Sequence, residues 1–428
     1  MTLATRDIDR RLIGGVCAGM ATRYQYNVRG VRALTVALAI VTAGLGGLAY
    51  IALWLFLPSA AAKTATETSS TAAREAIRQA TPEVTPAAHA PSPGASAAST
   101  AVPGAATPGT AELYGSIAED LPRIDEALLS LANVGQPWLR EMMQSMLTGS
   151  GKKMRPAMAL LAGRYGDYNL DRLVPLAASV ELLHTATLVH DDVIDEAAER
   201  RGQPTAASLF GNSASVMLGD YMFAHAANFI AQTDSTRVVR NFAATLGRMA
   251  SGELEQDITA FEYSEDVQRY MDRTGGKTAS LFATASEGGA IVSGAPEAHV
   301  DALRHYGESL GMAFQIVDDI LDFTGDPEEM GKPIGSDLRE GTLTLPAIFY
   351  MQQHPDDNPV KHAFDDVDRE ENFALAIDEI RGSTALAEAA EAAARFGSCA
   401  RETLSALPAG EERETLDRLV DYVLERRS

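Results

Sequence analysis

From about residue 111 to its C-terminus the chain repeats apolar residues at helical spacing and has no runs of alternating β-branched residues of the kind that mark strands. Ile117, Leu121, Ile124, Leu128 and Leu131 step by four, three, four and three, which stacks them on one helical face. Comparable stretches run through 170–200, 212–232, 300–323 and 412–426. Aromatic residues are sparse, 6% against 46% hydrophobic residues overall, which suits helices packed through Ala and Leu better than a sheet sandwich. The body is predicted to be all-α.

What precedes the body differs in kind. Ala33 to Leu57 is a run of 25 residues without a charge, long enough to cross a bilayer, with Arg29 and Arg32 before it and Trp54 and Pro58 at its far end. It starts too late and runs too long for a secretory signal. Gly44, Gly46 and Gly47 break its middle, so one span and a re-entrant or interfacial hairpin are both open. Residues 59–110 carry six prolines and no aromatic residue among Ala, Ser, Thr and Gly. Such a segment cannot bury enough surface to offset chain entropy, and is predicted to be a disordered tether reaching about 40 Å on average. The domains read as 1–58, 59–110 and 111–428.

Charge follows the same division. Residues 1–57 carry six Arg and two Asp, a net +4, and 58–110 are neutral, so a total of −22 leaves −26 on 111–428. A body so acidic has no positive field for nucleic acid. It would repel a polyphosphate too, unless divalent cations and local bases intervene. Two cysteines, Cys17 and Cys399, provide neither a disulfide framework nor a cysteine zinc site.

The chemistry is carried by two D-D-x-x-D segments, Asp191-Asp192-Val193-Ile194-Asp195 and Asp318-Asp319-Ile320-Leu321-Asp322. Positions i and i+4 share a helical face, so Asp191 projects with Asp195 and Asp318 with Asp322. One copy could be a solvated acidic face. Two copies, flanked by Leu183–His190 and Met312–Val317, lie in core-like surroundings. Carboxylates clustered there repel one another, and magnesium compensates: it takes carboxylate oxygens, keeps waters and bridges to phosphates. A calcium loop is excluded by the missing Gly and terminal Glu. Few bases accompany the motifs: Arg200 and Arg201 after the first, the cluster Lys152-Lys153-Met154-Arg155 at a loop-to-helix junction, Lys277-Thr278 after Gly275-Gly276, and Lys332 beyond the second. Each base alone is an ordinary surface charge; together they surround the two carboxylate clusters with phosphate-binding groups.

With these motifs the stretch 111–428 resembles the trans-isoprenyl diphosphate (polyprenyl) synthase family, and Gln315, Gly219-Asp220-Tyr221 and Leu404–Pro408 also fit it. The resemblance implies a helical bundle around a central cavity and condensation of isopentenyl diphosphate with an allylic diphosphate. By position it implies that Asp191, Asp195 and Asp318 ligate Mg2+, with Asp192, Asp319 and Asp322 in or near that shell. Lys152, Arg155, His184 and Arg201 would hold isopentenyl diphosphate; Arg200, Lys277, Thr278, Gln315 and Lys332 would hold or orient the allylic substrate. Taken alone, His184 would read as a satisfied core histidine. Lys153 stands where the family usually has Arg, and Thr342 where many members have Lys, so Thr342 is not assigned to phosphate. A homodimer is implied by the family.

Ala186 and Thr187 precede Asp191 by five and four residues, where related enzymes place an aromatic that limits product length. A small residue there leaves room for a long all-trans chain of about six units or more; a floor elsewhere, Phe223 for instance, would give the shorter farnesyl or geranylgeranyl product. The opening Arg11–Ala21 and the Gly-broken apolar run resemble a phage-shock-protein C (PspC) domain over roughly 6–58, implying a bacterial membrane-associated module. The Arg-rich flank favours a cytosolic N-terminus, and diphosphate substrates are cytosolic, so the expectation is an inner-membrane, re-entrant anchor with the catalytic body in the cytoplasm. The rivals are a terpene cyclase, which should lack the Lys152–Arg155 cluster, and a non-catalytic membrane stress-signalling protein, which intact carboxylates in both motifs disfavour.

Overall fold

The computed structural model describes residues 112–148, 152–200, 202–326 and 333–426. The predicted membrane segment and tether, together with Arg201 and Lys332, lie outside them. After a 3-10 turn, Gly115–Ile117, helices α1 (Leu121–Ser130), α2 (Pro137–Leu147) and α3 (Met154–Gly163) lead into the long α4 (Leu170–Ile194). A two-residue antiparallel hairpin follows, β1 (Glu199–Arg200) with β2 (Gln203–Pro204). Then come α5 (Ala206–Phe210), α6 (Asn212–Ala231), α7 (Thr236–Ile258) and α8 (Val267–Thr274). A π-helical turn, Gly275–Ala279, joins α8 to α9 (Ser280–Val292), and α10 runs from Glu297 to Thr324. The remainder is α11 (Ser336–Arg339), α12 (Leu345–Gln353), α13 (Pro359–Phe364), α14 (Arg369–Gly382), α15 (Ala385–Leu404) and α16 (Glu411–Leu424).

The described body is all-helical apart from that hairpin, as the periodicity predicted. One boundary is corrected. The helical stretch read as 170–200 stops at Ile194: Glu196 takes a left-handed backbone (φ 50°) and the chain doubles back into the hairpin. The apolar pattern ends there too, because 195–203 offers nothing to bury.

Two apolar clusters form the interior. The larger gathers α1, α3, α4, α6, α9 and the first half of α10; the smaller gathers the second half of α10 with α12 to α15. Helix α10 therefore passes from one to the other, and the second D-D-x-x-D segment sits at that passage. Small residues set the spacings. A Cβ on Gly311 would lie 2.6 Å from the Ala279 Cα, so only glycine lets α10 press against the π-turn. A Cβ on Gly219 would lie 2.1 Å from His190 Nε2; the missing side chain admits the imidazole between α4 and α6, 2.9 Å from the Val216 carbonyl. Helix α4 is apolar and long enough to span a bilayer, yet it is the central helix of the larger cluster, which is the setting of a soluble core helix.

Candidate active site

The first Asp motif closes α4. Asp191 and Asp192 occupy its last turn, and Asp195 caps it, its N–H donating to the Asp191 carbonyl at 2.8 Å. Asp192 turns inward and is buried; Arg200, brought back by the hairpin, donates from Nε to its Oδ1 at 2.6 Å. Asp191 is half-buried. Burial pushes its carboxyl up to about 7; Lys277 pulls it down and Glu253 and Asp195 push it further up. Burial raises Asp195 as well.

The second motif fans out. Asp318 meets Arg426, whose Nη1 lies 2.9 Å from Oδ1 as an ion pair rather than a directed hydrogen bond. Asp319 is buried and accepts from the Tyr270 hydroxyl at 2.6 Å and from Gln315 Nε2 at 2.9 Å; burial still raises its carboxyl to about 7. Asp322, also buried, accepts from the Ser336 hydroxyl at 2.8 Å and the Asp337 N–H at 3.3 Å, fixing the chain where it returns after 327–332.

The π-turn links the motifs. Lys277 is electrostatically coupled to Asp191 and Asp195, while the adjacent Thr278 donates its hydroxyl to Gln315 Oε1 at 2.7 Å, and Gln315 donates to Asp319. Two consecutive residues thus stand between the two carboxylate clusters, Lys277 within the field of the first and Thr278 joined to the second through Gln315. The glycines before Lys277 lie inside this helical turn, φ −58° at Gly275, and do not form a loop. A π-turn inserts an extra residue per turn and so redirects the side chains at that level.

A second basic group lies around Phe314. The Arg155 guanidinium stands 4.5 Å from the Phe282 ring and 5.7 Å from Phe314, and Arg426 stands 4.3 Å from Phe314. Lys152 Nζ lies 5.1 Å from the Tyr422 ring. Lys153 turns away to pair with Asp125. His184, two turns before Asp191 on α4, is half-buried. Ala186 is fully buried, Thr187 donates its hydroxyl to the His184 carbonyl at 2.8 Å, and Phe223 stands edge-on to His190 at 5.2 Å. Thr342 N–H is spent on the Asp337 carbonyl.

Sequence reading missed Glu253, Gln256, Tyr270, Tyr422 and Arg426. Glu253 is masked by Glu255 and Asp257, which make the end of α7 look like a solvated acidic face. Arg426 carried a weak signal, a base just beyond an amphipathic final helix; Tyr270 carried none.

The donor set suits magnesium. Among the described residues no three His, Cys, Asp or Glu side chains converge tightly enough to cage an ion. Magnesium needs no such cage: it takes one or two carboxylates and completes its shell with water and substrate phosphate. Half-buried Asp191 and Asp318, each beside a base, present that arrangement.

A family model described as Polyprenyl synthetase matches residues 136–380, and one described as PspC domain matches residues 3–60. Over 324 residues the chain is 38% identical to a prenyl transferase of Synechocystis sp., covering 74% of this chain and 98% of that one. It is 36% identical over 317 residues to heptaprenyl diphosphate synthase component 2 of Geobacillus stearothermophilus, 73% and 98% covered. A solved polyprenyl synthase from Caulobacter crescentus, complexed with calcium and isoprenyl diphosphate, superposes with a TM-score of 0.70 at 34% identity, 74% and 98% covered. With its two Asp motifs bridged by one helical turn, this chain belongs to the polyprenyl synthetase family.

Proposed function

We propose that residues 111–428 are a magnesium-dependent trans-prenyltransferase that adds isopentenyl diphosphate to an allylic diphosphate, making a long all-trans chain. The observation that carries this reading is the Lys277–Thr278 pair: Lys277 lies in the field of the first Asp motif, and Thr278 donates to Gln315, which in turn donates to Asp319 of the second. A diphosphate lying between the motifs would meet Lys277, Thr278 and Arg200, with Lys332 from beyond the second motif. Lys152, Arg155, His184 and Arg201 would receive the isopentenyl diphosphate.

Bound at Asp191, Asp195 and Asp318, magnesium supplies Lewis-acid neutralisation of charge on the leaving diphosphate. The chain's own part is positional and electrostatic. Bases fixed before substrate arrives stabilise the negative charge that develops as the allylic C–O bond breaks. The isopentenyl double bond then attacks the allylic carbon and a proton is lost; no side chain here stands out as its base, and the departing diphosphate suits that role. Asp192, Asp319 and Asp322 orient Arg200, Gln315 and the 336–337 turn by hydrogen bonds.

The long product is supported by the small Ala186 and by the heptaprenyl relative. Self-association is supported by α6 and α7, whose outward faces carry exposed Ala224, Ala227, Ala243, Gly247 and Ala250 beside exposed Met217, Leu254 and Ile258. Small residues allow close helix contact, and large exposed apolar side chains favour cover. Light scattering on the purified chain tests for a homodimer; a monomer would direct the search to a second subunit.

The N-terminal 1–58 would anchor the body at the inner membrane, with 59–110 as tether, so that a greasy product forms beside lipid. Both ends are placed in the cytoplasm, and cleavage of the tether by protease outside sealed spheroplasts would refute that topology. For the activity itself, protein incubated with magnesium, isopentenyl diphosphate and farnesyl diphosphate should yield long polyprenyl diphosphates on chromatography. No condensation under those conditions would refute the enzyme.

A further inference from the structure

Lys277 faces carboxylates from two sources. Asp191 and Asp195 belong to the first motif, yet Lys277 forms its ion pair with Glu253 of α7, Nζ to Oε2 at 2.5 Å. Gln256, three residues further along α7, offers Oε1 at 3.4 Å. The pair is built into the packing: the bare face of Gly252 lies against the backbone and Cβ of Lys277, so Glu253 springs from a point where α7 and the π-turn approach closely. The side chains are 30% and 19% exposed, unlike a freely solvated surface pair.

A third carboxylate beside a site that must accept a polyanion is a cost. Glu253 also makes Asp191 harder to ionise. An ammonium on a four-carbon stem, left beside Asp191 and Asp195, would collapse onto them and occupy the oxygens a divalent cation needs. Held by Glu253, it remains within reach of a diphosphate while those oxygens stay available.

We infer that Glu253, seconded by Gln256, is a positioning residue that holds Lys277 off the first Asp motif and presents it to the allylic diphosphate. The inference rests on the prenyltransferase reading and deepens it, since it separates the determinants of the two substrates.

The test compares wild type with Glu253→Gln and Glu253→Asp in the full chain, with Glu255→Gln as control; Glu255 pairs instead with Arg269 at 3.2 Å. Calorimetry measures binding of farnesyl thiodiphosphate, an unreactive allylic analogue, at fixed magnesium, and steady-state kinetics give KM for each substrate. Glu253→Gln should weaken the analogue and raise the allylic KM about tenfold, the scale of one charge-assisted contact. The isopentenyl KM should stay within about twofold, Glu253→Asp should recover part of the loss, and Glu255→Gln should match wild type. Analogue affinity unchanged or improved in Glu253→Gln, or equal losses for both substrates, would overturn the assignment. Thermal denaturation of each variant separates misfolding, and equal losses accompanied by melting count against it. If wild type binds the analogue but turns nothing over, the prenyltransferase reading falls, while the binding comparison still decides the role of Glu253.

Discussion

Arg426 stacks its guanidinium 4.3 Å from the Phe314 ring and sets Nη1 2.9 Å from Asp318 Oδ1, so a residue beyond the final helix is the counter-charge of the second Asp motif. With Asp318 34% exposed and Arg426 14%, the pair is partly screened by solvent. On the proposed function, a metal ion taken up by Asp318 would have to displace the guanidinium, and Arg426 would then stand beside Arg155, which shares the Phe314 ring with it, as a further base for isopentenyl diphosphate.

Arg426→Ala is therefore expected to bind magnesium more tightly in the absence of diphosphate, by up to about fivefold, the scale of a partly exposed ion pair. Its KM for isopentenyl diphosphate should rise. Calorimetric titration with magnesium alone gives the first number. Weaker magnesium binding would mean that Arg426 supports the metal site rather than competing with it.

Asp191→Asn separates function from stability. If Asp191 holds magnesium as the proposed function has it, its loss should cost turnover about 10²- to 10⁴-fold. The metal-free protein, however, should melt higher at pH 8 by about 2–5 °C, because burial makes the charged Asp191 a liability that the amide does not share. A lower melting temperature without metal would show that Asp191 is stabilising in its own right.

The raised carboxyls also set a pH dependence. Asp191 and Asp319 both move from 3.8 to about 7 on folding, because burial disfavours their charged forms. Between those values the folded chain keeps protons that the unfolded chain has shed, so stability falls as pH rises through that window and levels off above about 7. Magnesium prefers an ionised Asp191 and must expel its proton, so it should bind more tightly at pH 8 than at pH 6 and stabilise the fold more there. Melting curves with and without saturating magnesium at the two pH values measure both trends. A metal-induced rise in melting temperature that is larger at pH 6 would contradict them.

What the sequence disclosed, and what it withheld, follows from where the signals reside. The two Asp motifs are local: a fixed i, i+4 spacing within apolar helices makes Asp191 and Asp318 readable without any partner. The helical body was readable for the same reason, its period being set by burial on one face. Glu253 and Tyr270 act through contacts made only in three dimensions, Glu253 by the approach of α7 to the π-turn and Tyr270 by a hydrogen bond to a residue 49 positions away. The π-turn itself is a backbone adjustment that no side-chain period records. The break at Ile194 is marked only by the end of the apolar pattern, and Asp195 obscures it by continuing the acidic motif after the helix that carries it has ended.

Product length is expected to respond to Ala186. It lies five residues before Asp191, roughly 7.5 Å along α4 at 1.5 Å per residue, and it is fully buried. A Phe ring at this position must enter either the space used by the growing chain or the packed core, and the two outcomes separate cleanly. In the first case Ala186→Phe keeps its melting temperature and shortens the product; in the second, overpacking costs about 1–3 kcal/mol and the product is unchanged. Phe223, one helical turn after Gly219 and edge-on to His190 at 5.2 Å, supplies the converse test. If its ring limits growth, Phe223→Ala should lengthen the product while Ala186→Phe shortens it. Product chromatography on both variants reads this out, and identical product spectra from wild type, Ala186→Phe and Phe223→Ala would refute a length-setting pocket between α4 and α6.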